Sequence, residues 1–427
     1  MFFLAKLLKK DSLCVIMYLT ILRGDFMKLT EYIKSHWDDT VRLEREGNER
    51  LVGLPYPYFV PCIKGAFQEM YYWDTFFAAK GIYLCGKEAM VKNNADNMLY
   101  MIEKFGYMPN GSHRGLFGRS QPPLLSETVK DLYGIYKDPV WLSAAYNVLK
   151  KEYKFWTSGR NTETGLNRYG FDATEENIPS FANIIKGRLK GLDFSGMSDR
   201  EIVENKMSDA ESGWDFNPRC ELCQTEFNHV DLNGILYGFE CNMAYFSGEL
   251  ENGEENLWKE RADKRKALIH ELLFDGETFR DYNFKKKEHS PIFSAASFYI
   301  LWAGAATDEE AASTVKKLPL LEREHGVAVC EEGERNTVYQ WDFPNGWAPM
   351  HYIVVYGLLR YGYREDALRI AKKYVTAIEG IFEKTGTLWE KYNVVEGSTN
   401  VKDEYEMPEM LGWTAGIYLD FKNLLGE

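Results

Sequence analysis

The chain predicts an all-α fold, a toroid of six helical hairpins, or (α/α)6 barrel. Three observations point there. From residue 65 onward, large apolar residues recur mostly at intervals of three and four, the spacing that gathers them on one face of a helix. The stretches of this kind number about eleven or twelve, enough for six hairpins. The eight short β-branched runs alternating with helices that a β/α barrel requires are missing. Periodicity alone does not close a ring, and no repeat of fixed length and residue signature marks a solenoid.

Taken in order, the chain opens on "MFFLAKLLKKDSLCVIMYLTILRGDF", in which lysines precede an apolar run from Leu13 to Leu22. That run is shorter than the roughly 20 residues needed to span a bilayer, and no small-residue cleavage site follows it. Met27 then begins "MKLTEYIKSHWDDT", the ordinary start of a soluble protein. Residues 1–26 are therefore expected to be a dispensable extension or start-site artefact, and 27–64 an N-terminal arm. The catalytic-size domain occupies 65–427. Helices are expected at 69–86, 87–106, 124–136, 138–153, 230–248, 250–273, 291–305, 309–320, 347–360, 364–379 and 405–420. Gly- or Pro-bearing turns separate many of them, as near Gly86, Pro139 and Gly362. Brief extended pieces are expected near 278–284, 327–330 and 387–394. The segment 157–212, rich in Gly, Asn, Thr and Glu and then in alternating charge, reads as a variable loop with a peripheral helix. Connections of that length often serve as lids or binding loops.

The composition narrows the function classes. With 427 residues and 45% hydrophobic content, the chain can bury a substantial core. Acidic residues outnumber basic ones 64 to 51, a formal charge of -13, and the basic run Lys285 to Lys287 lacks interleaved aromatics, so no nucleic-acid partner is expected. The seven cysteines are odd in number and dispersed, which fits reduced thiols in a cytoplasm. Cys220 and Cys223 form a C-x-x-C, but no second pair follows and His229 is the sole nearby imidazole, too few ligands for zinc. No glycine-rich nucleotide fingerprint or P-loop stands in its required context. The expectation is a cytoplasmic monomer with no metal, no cofactor and no membrane partner.

Five segments break the helical rhythm: "QEMYYWDTFF" (68–77), "GRSQPP" (118–123), "ESGWDFNPR" (211–219), "QWDFPNGWAPMHY" (340–352) and "TLWEKYN" (387–393). Each concentrates aromatic rings, carboxylates, amides or an arginine. Sugar C–H faces pack on rings while hydroxyls demand donors and acceptors, so a carbohydrate ligand is inferred. Hydrolysis of a glycosidic bond usually needs two carboxyl groups, one donating a proton to the departing oxygen and one acting as base or nucleophile. Asp215 and Glu390, each beside a tryptophan in a segment broken by Gly or Pro, are suitable, although composition alone does not choose them from 64 acidic residues.

"QEMYYWDTFF" and "QWDFPNGWAP" closely resemble the two signature segments of the trehalase family of glycoside hydrolases. "GRSQPP", "ESGWDFNPR", "VDLN" (230–233) and "WEKYN" fall in that family's order, and the similarity runs from about 60 to 421. The resemblance implies a six-hairpin toroid that hydrolyses α,α-trehalose to two glucoses with inversion and without a cofactor. It implies that Asp215 is the general acid and Glu390 the general base. Trp73, Asp74, Asn110, Arg119, Trp341 and Trp347 are implied to line the glucose sites, with Trp73 and Trp347 also open to plain packing. Gln121 is a further candidate that could brace a loop. Glu211 is one that could orient Arg119 or a substrate hydroxyl. Asp342 and Asn345 stand between sugar contact and support of the "PNG" turn.

Two departures bear on specificity. The family's glycine pair and arginine before "YYWD" are replaced by "IKGAFQE", with Ala66 at the arginine's place. The family's "RPES" stretch has no clear counterpart in "RYGFDATEENIPS", where Arg168 is the candidate to compensate. Losing donors built to meet sugar hydroxyls alters discrimination by orders of magnitude. The substrate is expected to be trehalose or a related α-glucoside. An inverting α-glucosidase of a neighbouring toroid family and a catalytically degenerate sugar-binding protein are the alternatives.

Overall fold

The computed structural model describes residues 28–427, so the expected extension at 1–26 lies outside the described residues. The fold is predominantly helical, with strands of only two or three residues. Helix α1 (Leu29–His36) opens the arm, which continues through the short pair β1 (Val41–Arg42) and β2 (Tyr58–Phe59). Then come α2 (Tyr72–Leu84), α3 (Glu88–Phe105), α4 (Leu125–Tyr136), α5 (Pro139–Gly159), α6 (Ile178–Arg188) and α7 (Asp199–Ser212). A small sheet of β3 (Phe227–Asn228), β4 (Tyr282–Asn283) and β5 (Glu288–His289) flanks α8 (Val230–Glu249) and α9 (Glu255–Leu272). Next follow α10 (Phe298–Ala303), α11 (Asp308–Val315), the pair β6 (Glu322–Arg323) and β7 (Gly326–Val327), and β8 (Asn345–Trp347). The chain finishes with α12 (Ala348–Arg360), α13 (Arg364–Thr385), β9 (Lys391–Asn393) and α14 (Gly412–Leu425).

The distribution of apolar residues sorts these helices into layers. Helix α2 is buried nearly all round, from Tyr72 to Ala79 and at Gly81 and Ile82, as an interior helix must be. Helix α13 carries instead a stripe of Ala367, Ile370, Ala371, Tyr374, Ile378 and Ile381, one apolar face of a helix whose other side meets water. Helices α2, α4, α8, α10, α12 and α14 touch their neighbours in that order, and α14 returns to α2, closing a cycle. Helices α3, α5, α9 and α13 back them from outside. The closing contact is unusually intimate. A Cβ on Gly81 would stand 2.8 Å from the Gly416 Cα, and one on Gly416 would stand 2.4 Å from the Phe77 carbonyl oxygen, so the two backbones meet where neither helix has a side chain to hold them apart.

Several expected boundaries shift for physical reasons. The variable segment holds two helices rather than one peripheral helix. Ser198 caps α7 in a capping box with Glu201, and α6 and α7 pack on each other around Ile185, Ile202 and Val203. Helix α7 is also less peripheral than expected, since every residue from Lys206 to Ser212 is buried. The helix expected at 405–420 starts only at Gly412. Before it, Pro408 interrupts the backbone and the segment spends its hydrogen bonds on Leu388, Asn345 and Gln340. The helix expected at 291–305 is reduced to α10, because residues 293–295 exchange backbone hydrogen bonds with 329–331 first.

Candidate active site

Three of the inner helices begin at one cavity. Tyr71, Trp347 and Leu411 immediately precede α2, α12 and α14, and Trp73, Asp74 and Trp413 lie in the opening turns. A second group of residues arrives on irregular chain. The 110–121 loop contributes Asn110, Arg119 and Gln121, and the exit of α7 contributes Gly213 and Asp215. Pairing of β8 with β9 sets Trp347 opposite Lys391 and thereby brings Glu390 to the same wall. The cavity these segments enclose measures about 330 Å³.

Indole rings form much of its surface. Trp341 stacks on Trp347 at 3.8 Å and 9°, Trp73 meets Trp341 at 5.7 Å, and Trp413 stands 5.9 Å from both Trp73 and Trp347. Trp214 backs Trp341 from behind at 5.4 Å. Gly213 makes that packing possible. It ends α7 with φ 79°, and a Cβ there would lie 2.6 Å from the Trp73 ring, so both the left-handed backbone and the close approach call for glycine.

The polar groups fall into those already occupied and those left open. Asn110 donates to the Ser120 and Ala210 carbonyls, and Gln121 accepts from the Trp73 amide. Arg119 is buried, yet its Nε and Nη1 have no protein partner, so the guanidinium presents free donors where it lines the cavity. Burial also pushes its pKa down. Asp74 is pushed up to about 8 by burial, with the Glu390 charge adding to the effect. Glu390, its side chain 2% exposed, accepts from the Tyr405 hydroxyl at 2.7 Å on Oε1 and from Lys391 Nζ at 2.9 Å on Oε2. Burial raises its pKa, while Lys391 and Tyr405 oppose that rise. The Asp215 carboxylate is more accessible and has Arg188 Nη1 at 3.6 Å from Oδ2, and its carbonyl accepts from Gln340 and Arg188. Two carboxyls, one accessible and one enclosed, thus face a single aromatic chamber with spare donors, an arrangement able to hold a hydroxyl-rich ring between a proton donor and a proton acceptor.

Of the candidates from the sequence, Asp215, Glu390, Trp73, Asp74, Asn110, Arg119, Gln121, Trp341 and Trp347 line this cavity together. Glu211, Asp342 and Asn345 do not, and the side chain of each meets protein partners. Glu211 accepts from Arg160 Nε at 2.8 Å and from the backbone N–H groups of Ser120 and Gly170, so it braces the Arg119 loop. Asp342 pairs with Arg335. Asn345 donates to the Gln340 and Lys402 carbonyls and accepts from the Lys402 amide. Arg168 donates to the Tyr169 carbonyl and lies away from the lining, so it does not replace the missing donor; Ala66 is exposed.

Sequence reading missed Phe67, Leu116, Arg188, Tyr405, Met410 and Trp413 in the lining. Tyr71 and Gln340 were within reach, since both sit inside segments already singled out. Arg188 had no signal, being one arginine at the end of a helix in the variable segment. It donates to Glu404 Oε2 at 2.9 Å, and Glu404 Oε1 in turn accepts from the Phe216 and Gln340 amides, tying the acid-bearing loop to the 401–411 segment.

The family model described as Trehalase matches residues 15–426. The chain is 29% identical over 424 residues to the periplasmic trehalase of Xanthomonas campestris pv. campestris (strain 8004), covering 93% of this chain and 73% of that protein. Among solved structures, neutral trehalase Nth1 from Saccharomyces cerevisiae matches with a TM-score of 0.74 and 28% identity, covering 92% of this chain and 79% of the other. The GH63 mannosylglycerate hydrolase from Thermus thermophilus in complex with glucose matches with a TM-score of 0.64 at 15% identity, covering 92% and 100%, a likeness of fold alone.

Proposed function

The chain belongs to the trehalase family, and from that premise we propose that it is an inverting glycoside hydrolase whose substrate is α,α-trehalose or a closely related α-glucoside. The observation that carries the reading is that Asp215 and Glu390 line one cavity walled by Trp73, Trp341, Trp347 and Trp413, with Arg119 offering unpartnered donors. In this reading the rings pack against sugar C–H faces, and Arg119, Gln121 and Asp74 meet hydroxyls. Asp215 gives its proton to the glycosidic oxygen as the bond to the anomeric carbon breaks. Glu390 takes a proton from a water whose oxygen attacks that carbon from the opposite face. Inverting pairs of this kind stand about 6.5–9.5 Å apart, which leaves room for the water. We read the cycle of inner helices as a six-hairpin toroid over 65–427, with 27–64 as its arm. The packing of Tyr32 of α1 against Phe382 of α13 at 4.9 Å supports an arm seated on the outer layer.

The test is a panel of α-glucosides, trehalose included, with the first-formed sugar followed by NMR. Inversion of α,α-trehalose releases one β-glucose and one α-glucose per turnover. Release of α-glucose alone overturns the mechanism, and hydrolysis of other α-glucosides but not trehalose moves the substrate.

A cytoplasmic compartment also belongs to this proposal. Cys62, Cys85, Cys220, Cys223, Cys241 and Cys330 are free thiols, which suits a reducing environment. Among the described residues no helix is long and apolar enough to cross a membrane. The name of the Xanthomonas relative places that protein in the periplasm. Cell fractionation should find the activity with cytoplasmic markers; its release by osmotic shock would sink this assignment.

A further inference from the structure

Lys391 is the most deeply buried cation beside the reacting groups, yet it does not line the cavity. Its side chain is fully buried, and Nζ stands 2.9 Å from Glu390 Oε2, 2.8 Å from Asp403 Oδ1 and 3.3 Å from Gln340 Oε1. The ammonium also lies over the Trp347 ring at 4.9 Å and the Tyr405 ring at 5.0 Å, so its place is set on two sides by the walls of the site. Consecutive strand residues point to opposite faces, and Lys391 opens β9 immediately after Glu390. The lysine therefore stands behind the carboxylate and turns its charge back onto it. A general base buried among other carboxyls is held in its proton-accepting form only if a fixed positive charge offsets the burial.

We propose that Lys391 is a positioning residue for the base and that Asp403 tunes it, the Lys391–Asp403 pair setting how much positive charge Glu390 feels. This rests on the reading of Glu390 as the general base. The groups that face Glu390 are few and fall on separate elements. Lys391 comes from β9, Tyr405 from the 401–411 segment, Asp215 from the α7 exit, Asp74 from α2, and Cys62 from the arm. Of these, Lys391 alone is cationic. Tyr405 donates a hydrogen bond to Oε1 without bringing charge, and Asp74 and Asp215 supply none of the positive charge that would hold Glu390 ionised. Asp403 is a third exposed, so solvent and the conformation of the 401–411 segment reach the pair from outside the cavity.

The two residues act on the base with opposite sign, and this distinguishes a positioning role from general damage to the fold. The base works only when ionised, so kcat/KM falls on the acid side as Glu390 gains its proton. Lys391→Met removes the offsetting charge, and the acid limb should move to higher pH by about 1–3 units, with the rate returning toward the wild-type value above it. Asp403→Asn frees the lysine charge for Glu390, and the acid limb should move to lower pH by about half a unit. The measurement is the pH profile of kcat/KM on the best substrate of the panel for the wild type and both variants. Opposite displacements establish the proposal; an unmoved acid limb in Asp403→Asn, or in a folded Lys391→Met, overturns it. Should Lys391→Met not fold, Asp403→Asn decides alone. Glu390→Gln checks the underlying reading separately. Near-normal activity in that variant removes Glu390 as the base, whatever the other two profiles do.

Discussion

Asp215→Asn and Glu390→Gln should each lower kcat by about 10²–10⁴-fold, the range that positioned proton transfer contributes. The two losses should differ in kind. With an α-glucosyl fluoride the leaving group departs without a proton, so Asp215→Asn should recover much of its rate there while Glu390→Gln, which lacks the group that activates water, should not. Both variants should keep the wild-type circular dichroism, because the replacements preserve shape. Asp215 is partly accessible, and at position 390 the glutamine keeps an oxygen for the Tyr405 hydroxyl and gives up the acceptor used by Lys391, which retains Asp403. Retention of the wild-type rate on an unactivated α-glucoside by either variant would remove that residue from its role. Equal behaviour of the two on the fluoride would reverse or dissolve the assignment of acid and base.

Arg219→Met should be the most damaging replacement for the fold itself, costing about 3–5 kcal/mol, since it strips the cation from two buried carboxylates at once. Arg219 donates to Asp281 through Nε at 2.8 Å and Nη2 at 2.7 Å, and to Asp231 through Nη1 and Nη2 at 3.0 Å. Burial would push Asp281 up, but the Arg219 charge and hydrogen bonds pull its pKa below the ordinary carboxylate value, so the aspartate is held ionised in the interior. The same guanidinium lies 4.5 Å over the Trp214 ring, which backs Trp341 in the cavity wall. Equilibrium urea denaturation reads the loss, and a cost below about 1 kcal/mol would mean that the network is solvated or re-paired. Replacing all three charged residues by apolar ones of similar volume should restore part of the stability, as buried ion pairs commonly allow.

How far the sequence reveals the site depends on whether a residue's function leaves a local mark. Trp73, Asp74, Asp215, Trp341 and Glu390 sit in short runs where rings and carboxylates replace the helical pattern, and the resemblance to a family orders them. Arg188 and Glu404 leave no such mark. Each is an ordinary charged residue in a charged stretch, and its importance comes from a meeting between α6, the α7 exit and the 401–411 segment that no periodicity encodes. Asn345 and Asp342 show the reverse case. They lie in an aromatic, Gly- and Pro-bearing segment that looks like a binding loop, yet their side chains hold that loop in shape. The helical layers were legible for the usual reason, that apolar residues at three and four must face something. The start of α14 was not, because the residues ahead of it alternate polar and apolar character while their backbone is committed elsewhere.

The meeting of Gly81 with Gly416 has a consequence for synthesis. The α2 helix is made before the helix that covers it, so a growing chain carries the bare backbone of α2 uncovered until α14 has followed it. Contacts so distant in sequence form late and slowly, and the open groove is a surface on which a partly made chain can err. Trp413, a wall of the cavity, arrives on the same helix. The pocket is therefore completed by the same step that latches the ring, and a molecule of this protein acquires its shape and its binding site together, when α14 docks on α2.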